Sequence, residues 1–146
     1  MKEIDFLKKN NFSEAVELLE KYENKDNDLR NLIIQSSDEY RLILLALLLD
    51  IAYRKNISFW FENIAYFYSF NFDFLDGAQK TSLFYFKKAH KLDVNSERIL
   101  GAILDFQLPP EKILSLEEAT VFANKLLEIN PSNERALKII KDDNNG

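Results

Sequence analysis

The sequence predicts an all-α protein, and three observations carry that reading. Apolar residues recur at helical spacing along most of the chain. Several of those stretches are preceded by a residue able to cap free backbone N–H groups, with Glu or Gln three positions later. Only three Gly and three Pro interrupt the 146 residues, too few for a turn-rich β sandwich. That length suits one hydrophobic core, so residues 1–146 are read as a single domain.

Eight or nine helices are expected, and the punctuation of the chain places them. The first, Glu3–Lys9, carries acids at Glu3 and Asp5 and lacks the apolar core of a secretory signal. The second, Ser13–Tyr22, follows the Asn11/Glu14 mark. The breaker Asn24–Asp28 separates it from Asp28–Gln35. The fourth, Ser37–Arg54, opens at Ser36/Glu39 and holds the apolar run Leu42–Asp50, far short of the roughly 20 residues needed to cross a bilayer. A helix buried on most sides is the expectation there, with Asp50 and Arg54 forming an ordinary surface pair four residues apart.

The fifth segment, Ser58–Phe70, is dense in aromatics and fades into SFNFDF, the one place with period-two alternation. The sixth, Ala78–Leu92, follows Asp76/Gln79; its spacing puts Leu83, Phe86 and Ala89 inward and Lys87, Lys88 and Lys91 outward. Glu97–Phe106 begins after Asn95 and Ser96, Leu116–Ile129 after the breaker Leu108–Lys112 and the mark Ser115/Glu118, and Asn133–Lys141 after Asn130–Asn133.

A net charge of -5 opposes broad attraction to phosphate backbones or anionic membranes and suits a basic protein partner. The chain has no Cys, which excludes disulfides and thiolate metal sites and fits a reducing, cytoplasmic compartment. His90 stands alone, without a second histidine for a zinc site, and reads as a surface or boundary residue. Gly77, Gly101 and Gly146 are too dispersed for a phosphate-cradling loop. Carboxylates such as Glu117 with Glu118, or Asp73 with Asp76, are explained by helix N-termini. No catalytic residue, cofactor or metal site is therefore expected.

The last two helix pairs repeat. Placing KLDVNSERIL on EINPSNERAL sets Leu92 over Ile129 and Leu100 over Leu137, an offset of 37 residues, and GAQKTSLFYFKKAHKLD then falls on LSLEEATVFANKLLEIN. A third copy lies in NFSEAVELLEK, where Ala15 corresponds to Ala119 and Lys21 to Lys125. In this pattern the chain resembles the tetratricopeptide repeat family, whose units of about 34 residues are antiparallel helix pairs. The family's second-helix positions fall on Ala119, Ala123, Leu126, Ile129, Asn130 and Pro131, and one unit earlier on Ser82, Phe86, Ala89, Leu92, Asp93 and Val94. Leu100 and Gly101 match its first-helix Leu-Gly pair, whereas residues 28–57 match no repeat well. The resemblance implies a right-handed stack of helix pairs, an α-solenoid that acts by binding other proteins.

The stretch from Phe59 to Phe74 holds nine aromatics, most of them expected in the core. Tyr66 and the segment Phe70, Phe72, Asp73, Phe74 and Asp76 are the candidate partner-binding residues, an aromatic patch edged by acids for a partner carrying Lys or Arg. The function expected is noncatalytic protein binding, specifically an immunity or antitoxin-like protein neutralising a basic toxin domain. The alternatives are a scaffold or chaperone adaptor holding peptide segments, and a nucleic-acid-associated regulator using the bases around Lys87–Lys91.

Overall fold

The protein is described by a computed structural model covering residues 2–109 and 112–146. The described residues form nine α-helices and no strand: α1 Lys2–Lys8, α2 Phe12–Glu20, α3 Asp26–Gln35, α4 Asp38–Lys55, α5 Ser58–Asn71, α6 Ala78–Leu92, α7 Glu97–Leu104, α8 Leu116–Ile129 and α9 Glu134–Asn145, with a 3-10 turn at Asp105–Gln107. Of the Leu108–Lys112 breaker, Pro110 and Glu111 lie outside the described residues, as does Met1. SFNFDF is not extended, because α5 continues through Phe70 to Asn71.

Local chemistry explains the boundaries. Asn10, Asn24 and Asn56, which follow α1, α2 and α4, take the left-handed conformation that Asn tolerates better than other side chains. In α4, Asp38 and Glu39 occupy the first turn and Arg54 and Lys55 the last, each at the end of the helix dipole that favours its charge. Ser115, Ser96 and Asn133 cap α8, α7 and α9 through the backbone N–H groups of Glu118, Ile99 and Ala136. Of the four predicted caps only Ser115 forms; those at Asn11, Ser36 and Asp76 do not. Asn11 makes no side-chain cap bond. Ser36 Oγ instead donates back to the Ile33 carbonyl at 2.6 Å. The chain enters α6 through Gly77 at φ 83°, which displaces Asp76 from the cap position.

Two corners 37 residues apart have the same backbone geometry. The residue after α6, Asp93, has φ -138° and ψ 79°, and its counterpart Asn130 after α8 has φ -136° and ψ 92°. Their N–H groups close on the carbonyls of Ala89 and Leu126 at 3.0 and 2.8 Å. Pro131 is thus tolerated beyond a helix end that Asp93-Val94 builds without proline.

One cluster of buried side chains runs from Leu7 to Ile139, with Trp60, Phe61 and Phe67 its largest fully buried members. Helices adjacent in sequence pack on each other from α4 onward, α5 and α6 most extensively, and α2 meets α4, α3 meets α5 and α7 meets α9 across the intervening helix. The tight contacts use small residues. Ala65 on α5 faces Ser82 on α6, whose hydroxyl donates to the Ala65 carbonyl at 2.7 Å, and Ala119, Ala123 and Ala136 are fully buried where α7, α8 and α9 meet.

As predicted, Leu83, Phe86 and Ala89 point inward on α6 while Lys91 is exposed. Helix α4 buries Leu44, Leu45, Leu48, Ile51 and Ala52 but leaves Leu42 and Tyr53 open, so one flank is free. His90, expected at the surface or a boundary, is buried against the Phe122 ring. No helix of the described residues is long and apolar enough to cross a membrane.

Candidate functional site

The odd-numbered helices α3, α5, α7 and α9 share a face, and Tyr66 on α5 stands at its centre. Three depressions meet at this ring. One of about 390 Å³ lies between α3 and α5, walled by Ile33, Ile34, Phe67 and Phe70. One of about 360 Å³ runs from α5 and α6 to the segment after α7, walled by Phe70, Phe86, Phe106, Leu108 and Ile113. The third, about 640 Å³ and polar, extends past Arg98 and Asp105 to Asn133 and Arg135.

Helical spacing assembles the ridge between them. Asn63, Tyr66 and Phe70 sit at i, i+3 and i+7 and therefore share one side of α5. Tyr66 and Phe70 stack with ring centroids 6.0 Å apart, Phe86 of α6 meets Tyr66 edge-on at 4.9 Å, and the Arg30 guanidinium lies 4.2 Å over the Tyr66 ring. Phe70 is 72% exposed. Burial, reinforced by the Glu62 carboxylate, holds the Tyr66 phenol above its ordinary value, so it remains a hydrogen-bond donor through the physiological range.

Three arginines line the face, and two are engaged. Arg98 on α7 reaches back to Glu62 on α5, donating from Nε at 2.7 Å and from Nη2 at 2.8 Å. Glu62 is 1% exposed, so this bidentate pair neutralises a carboxylate within the core, and it raises the Arg98 pKa. Arg135 on α9, 37 residues on, pairs with Asp105 at 2.7 Å and donates to the Gly101 carbonyl at 2.7 Å. Burial nevertheless pushes the Asp105 carboxyl above its usual range, against the pull of Arg135.

Arg30 is different. Its Nε is buried without a hydrogen-bond partner, and so is Oδ1 of Asn63 on the wall of the same depression. The Asn63 amide is held in orientation because its Nδ2 donates to Asp26 Oδ1 and to the Phe59 carbonyl, both at 2.9 Å.

The structure divides the sequence-predicted site. Tyr66 and Phe70 come together on the face just described. Phe72 is 8% exposed and stacks on Phe67, a core position, because the chain turns inward after α5. Asp73, Phe74 and Asp76 are exposed on the α5–α6 connection and line none of these depressions. The reading from sequence missed Arg30, Asn63, Arg98 and Arg135. For the last two the signal was available: the repeated Glu-Arg pairs Glu97-Arg98 and Glu134-Arg135 lie in register across the two copies.

The basic stretch on α6 is already occupied. Lys87 pairs with Glu118 at 2.6 Å, and Lys88 lies over the Tyr53 and Phe61 rings. Among the described residues no group of three His, Cys, Asp or Glu is placed to hold a metal ion. Comparison of the chain with family models, curated proteins and solved structures gives no match.

Proposed function

We propose that the chain is a noncatalytic protein-binding module, a tetratricopeptide-like stack of antiparallel helix pairs that receives a partner segment on the face of α3, α5, α7 and α9. The observation that carries this reading is Tyr66, a single ring forming the common wall of three depressions. Apolar walls beside ordered arginines and amides match the make-up of interface hot spots, where aromatic and Arg side chains dominate. The polar groups are held by neighbouring units before a partner arrives, which reduces the ordering cost of binding.

A second reading, neutralisation of a basic toxin domain in the manner of an immunity protein, draws on a different surface. Phe74 is 72% exposed between the exposed acids Asp73 and Asp76, and the chain carries a net charge of -5. One experiment separates the two. Tagged wild type, Phe70→Ser and Phe74→Ser proteins are used in parallel to capture partners from the native cell, with mass spectrometry after a moderate salt wash. A partner kept by Phe74→Ser and lost by Phe70→Ser supports the odd-helix face. The converse, with a basic partner at equal stoichiometry, supports the inhibitor reading, and retention by both variants defeats both surfaces.

A further inference from the structure

Helix α4 is apolar on all sides over two turns, because every residue from Leu42 to Leu49 is Leu, Ile or Ala. A helix of that composition is ordinarily covered all round. Here Leu44, Leu48 and Ile51 are buried in the core, while on the opposite side Leu42, Ala46 and Tyr53 are exposed and Leu49 is half-buried. These last four fall at i, i+4, i+7 and i+11, the spacing of a seam between two helices, and the small Ala46 near its middle allows close approach. Phe84 on α6, one turn from the Lys88 that lies over the Tyr53 ring, is also exposed and widens the apolar surface.

The ends of α4 indicate what fits this seam. Asp38 and Glu39 are exposed in its first turn, and Arg54 and Lys55 form its last. Two copies of α4 laid antiparallel across a two-fold axis set Leu42 against Tyr53 of the second copy and Ala46 against its Leu49. The same superposition brings the acidic turn of each helix beside the basic turn of the other and opposes the two helix dipoles. A parallel pair would instead set acids on acids and bases on bases. Arg41, which the antiparallel pair brings toward the second Arg54, is turned to the Ile33 and Ile34 carbonyls.

We infer that the free flank of α4 is a self-association surface that takes a second copy of this chain, antiparallel across a two-fold axis, with Leu42, Ala46, Leu49 and Tyr53 as its seam. It uses none of the residues assigned to the odd-helix face, so it stands or falls independently of the binding reading. Such a contact covers on the order of 1,000 Å² in total, the low end for specific association, and the expected Kd is on the order of 10 µM.

The test is sedimentation of the full chain from about 1 to about 300 µM, a range that brackets this Kd. The average mass is expected to rise from 17.1 kDa toward twice that value. Ala46→Glu, at an exposed site, sets like charges on either side of the axis and should weaken association about tenfold or more. Leu42→Lys, also at an exposed site, should do the same and serves if Ala46→Glu fails to fold. Because the chain has no Cys, orientation can be read by cross-linking. Under air oxidation, Leu42→Cys mixed with Tyr53→Cys should give a disulfide-linked dimer, and Leu42→Cys alone should not.

A chain that stays monomeric to about 300 µM would overturn the inference and leave the flank to a different partner. So would association that neither charged variant weakens. A disulfide between two Leu42→Cys chains would place the helices parallel and overturn it as well.

Discussion

Replacing Arg98 by Ala tests whether the core of the odd-helix face is electrostatically closed. The change removes both hydrogen bonds to Glu62 and leaves a carboxylate that is 1% exposed without its cation. Breaking a buried ion pair by deleting one partner costs about 3–5 kcal/mol. Arg98 is itself 60% exposed, so water can enter where the guanidinium was, and the cost falls to about 2–3 kcal/mol. For a domain of this size that corresponds to a fall of roughly 5–10 °C in Tm.

The assay is thermal and urea unfolding of wild type, Arg98→Ala, Glu62→Gln and the double variant. Because glutamine removes the buried charge, the double variant should recover most of the loss, with a coupling energy of about 1–3 kcal/mol. Arg98→Ala within about 0.5 kcal/mol of wild type, with no coupling in the cycle, would refute the argument, since that is the range of an ordinary surface substitution.

Three further outcomes are expected. Phe72→Ser should destabilise by about 3 kcal/mol, as its ring is packed on Phe67, whereas Phe74→Ser should stay within about 0.5 kcal/mol; equal effects in urea unfolding would place both rings in the same environment. Gly101→Ala should raise stability by about 0.5–1 kcal/mol, because the position is helical and an added Cβ meets only the Arg135 Nη1 at 3.6 Å; a lower Tm would show that α7 needs the glycine. Stability should decline as pH falls from 7 toward 5. Burial, and then the nearby Lys125 charge, depress the His90 pKa against an opposing pull from Asp93, so the folded state favours neutral imidazole; that stability is complete above the unfolded value near 6.5 and is lost as pH falls through the folded value. His90→Phe should flatten the acid limb measured by urea unfolding, and an unchanged limb would remove His90 as its cause.

How much was legible in the sequence depended on whether a feature is local. The helices were readable because periodicity and breakers act within a few residues, and the α6–α7 and α8–α9 corners were readable because residues of like chemistry 37 positions apart close the same backbone bond. The caps at Ser36 and Asp76 were misread because nearby backbone competed: Ser36 bonds back to Ile33, and Gly77 takes the φ that the turn requires. Phe70, Phe72 and Phe74 look alike in sequence. Only the end of α5 decides that Phe72 turns inward while its neighbours do not. Asn63 and Arg30 were beyond reach for a similar reason, since an unpaired polar atom is defined by what tertiary packing fails to bring to it.

The arginines of the face give that last point a direction. Arg98 is answered by Glu62 and Arg135 by Asp105, each acid lying on the chain before its arginine, so each later unit closes its charge on an earlier one. Arg30, at the start of the series, has only the Tyr66 ring, and its Nε stays unbonded. Supplying a carboxylate there from within the chain would complete the pattern. Two of the three arginines are thus held by carboxylates from earlier in the chain, whereas Arg30 relies on an aromatic face, a weaker hold on a cation than a bidentate carboxylate.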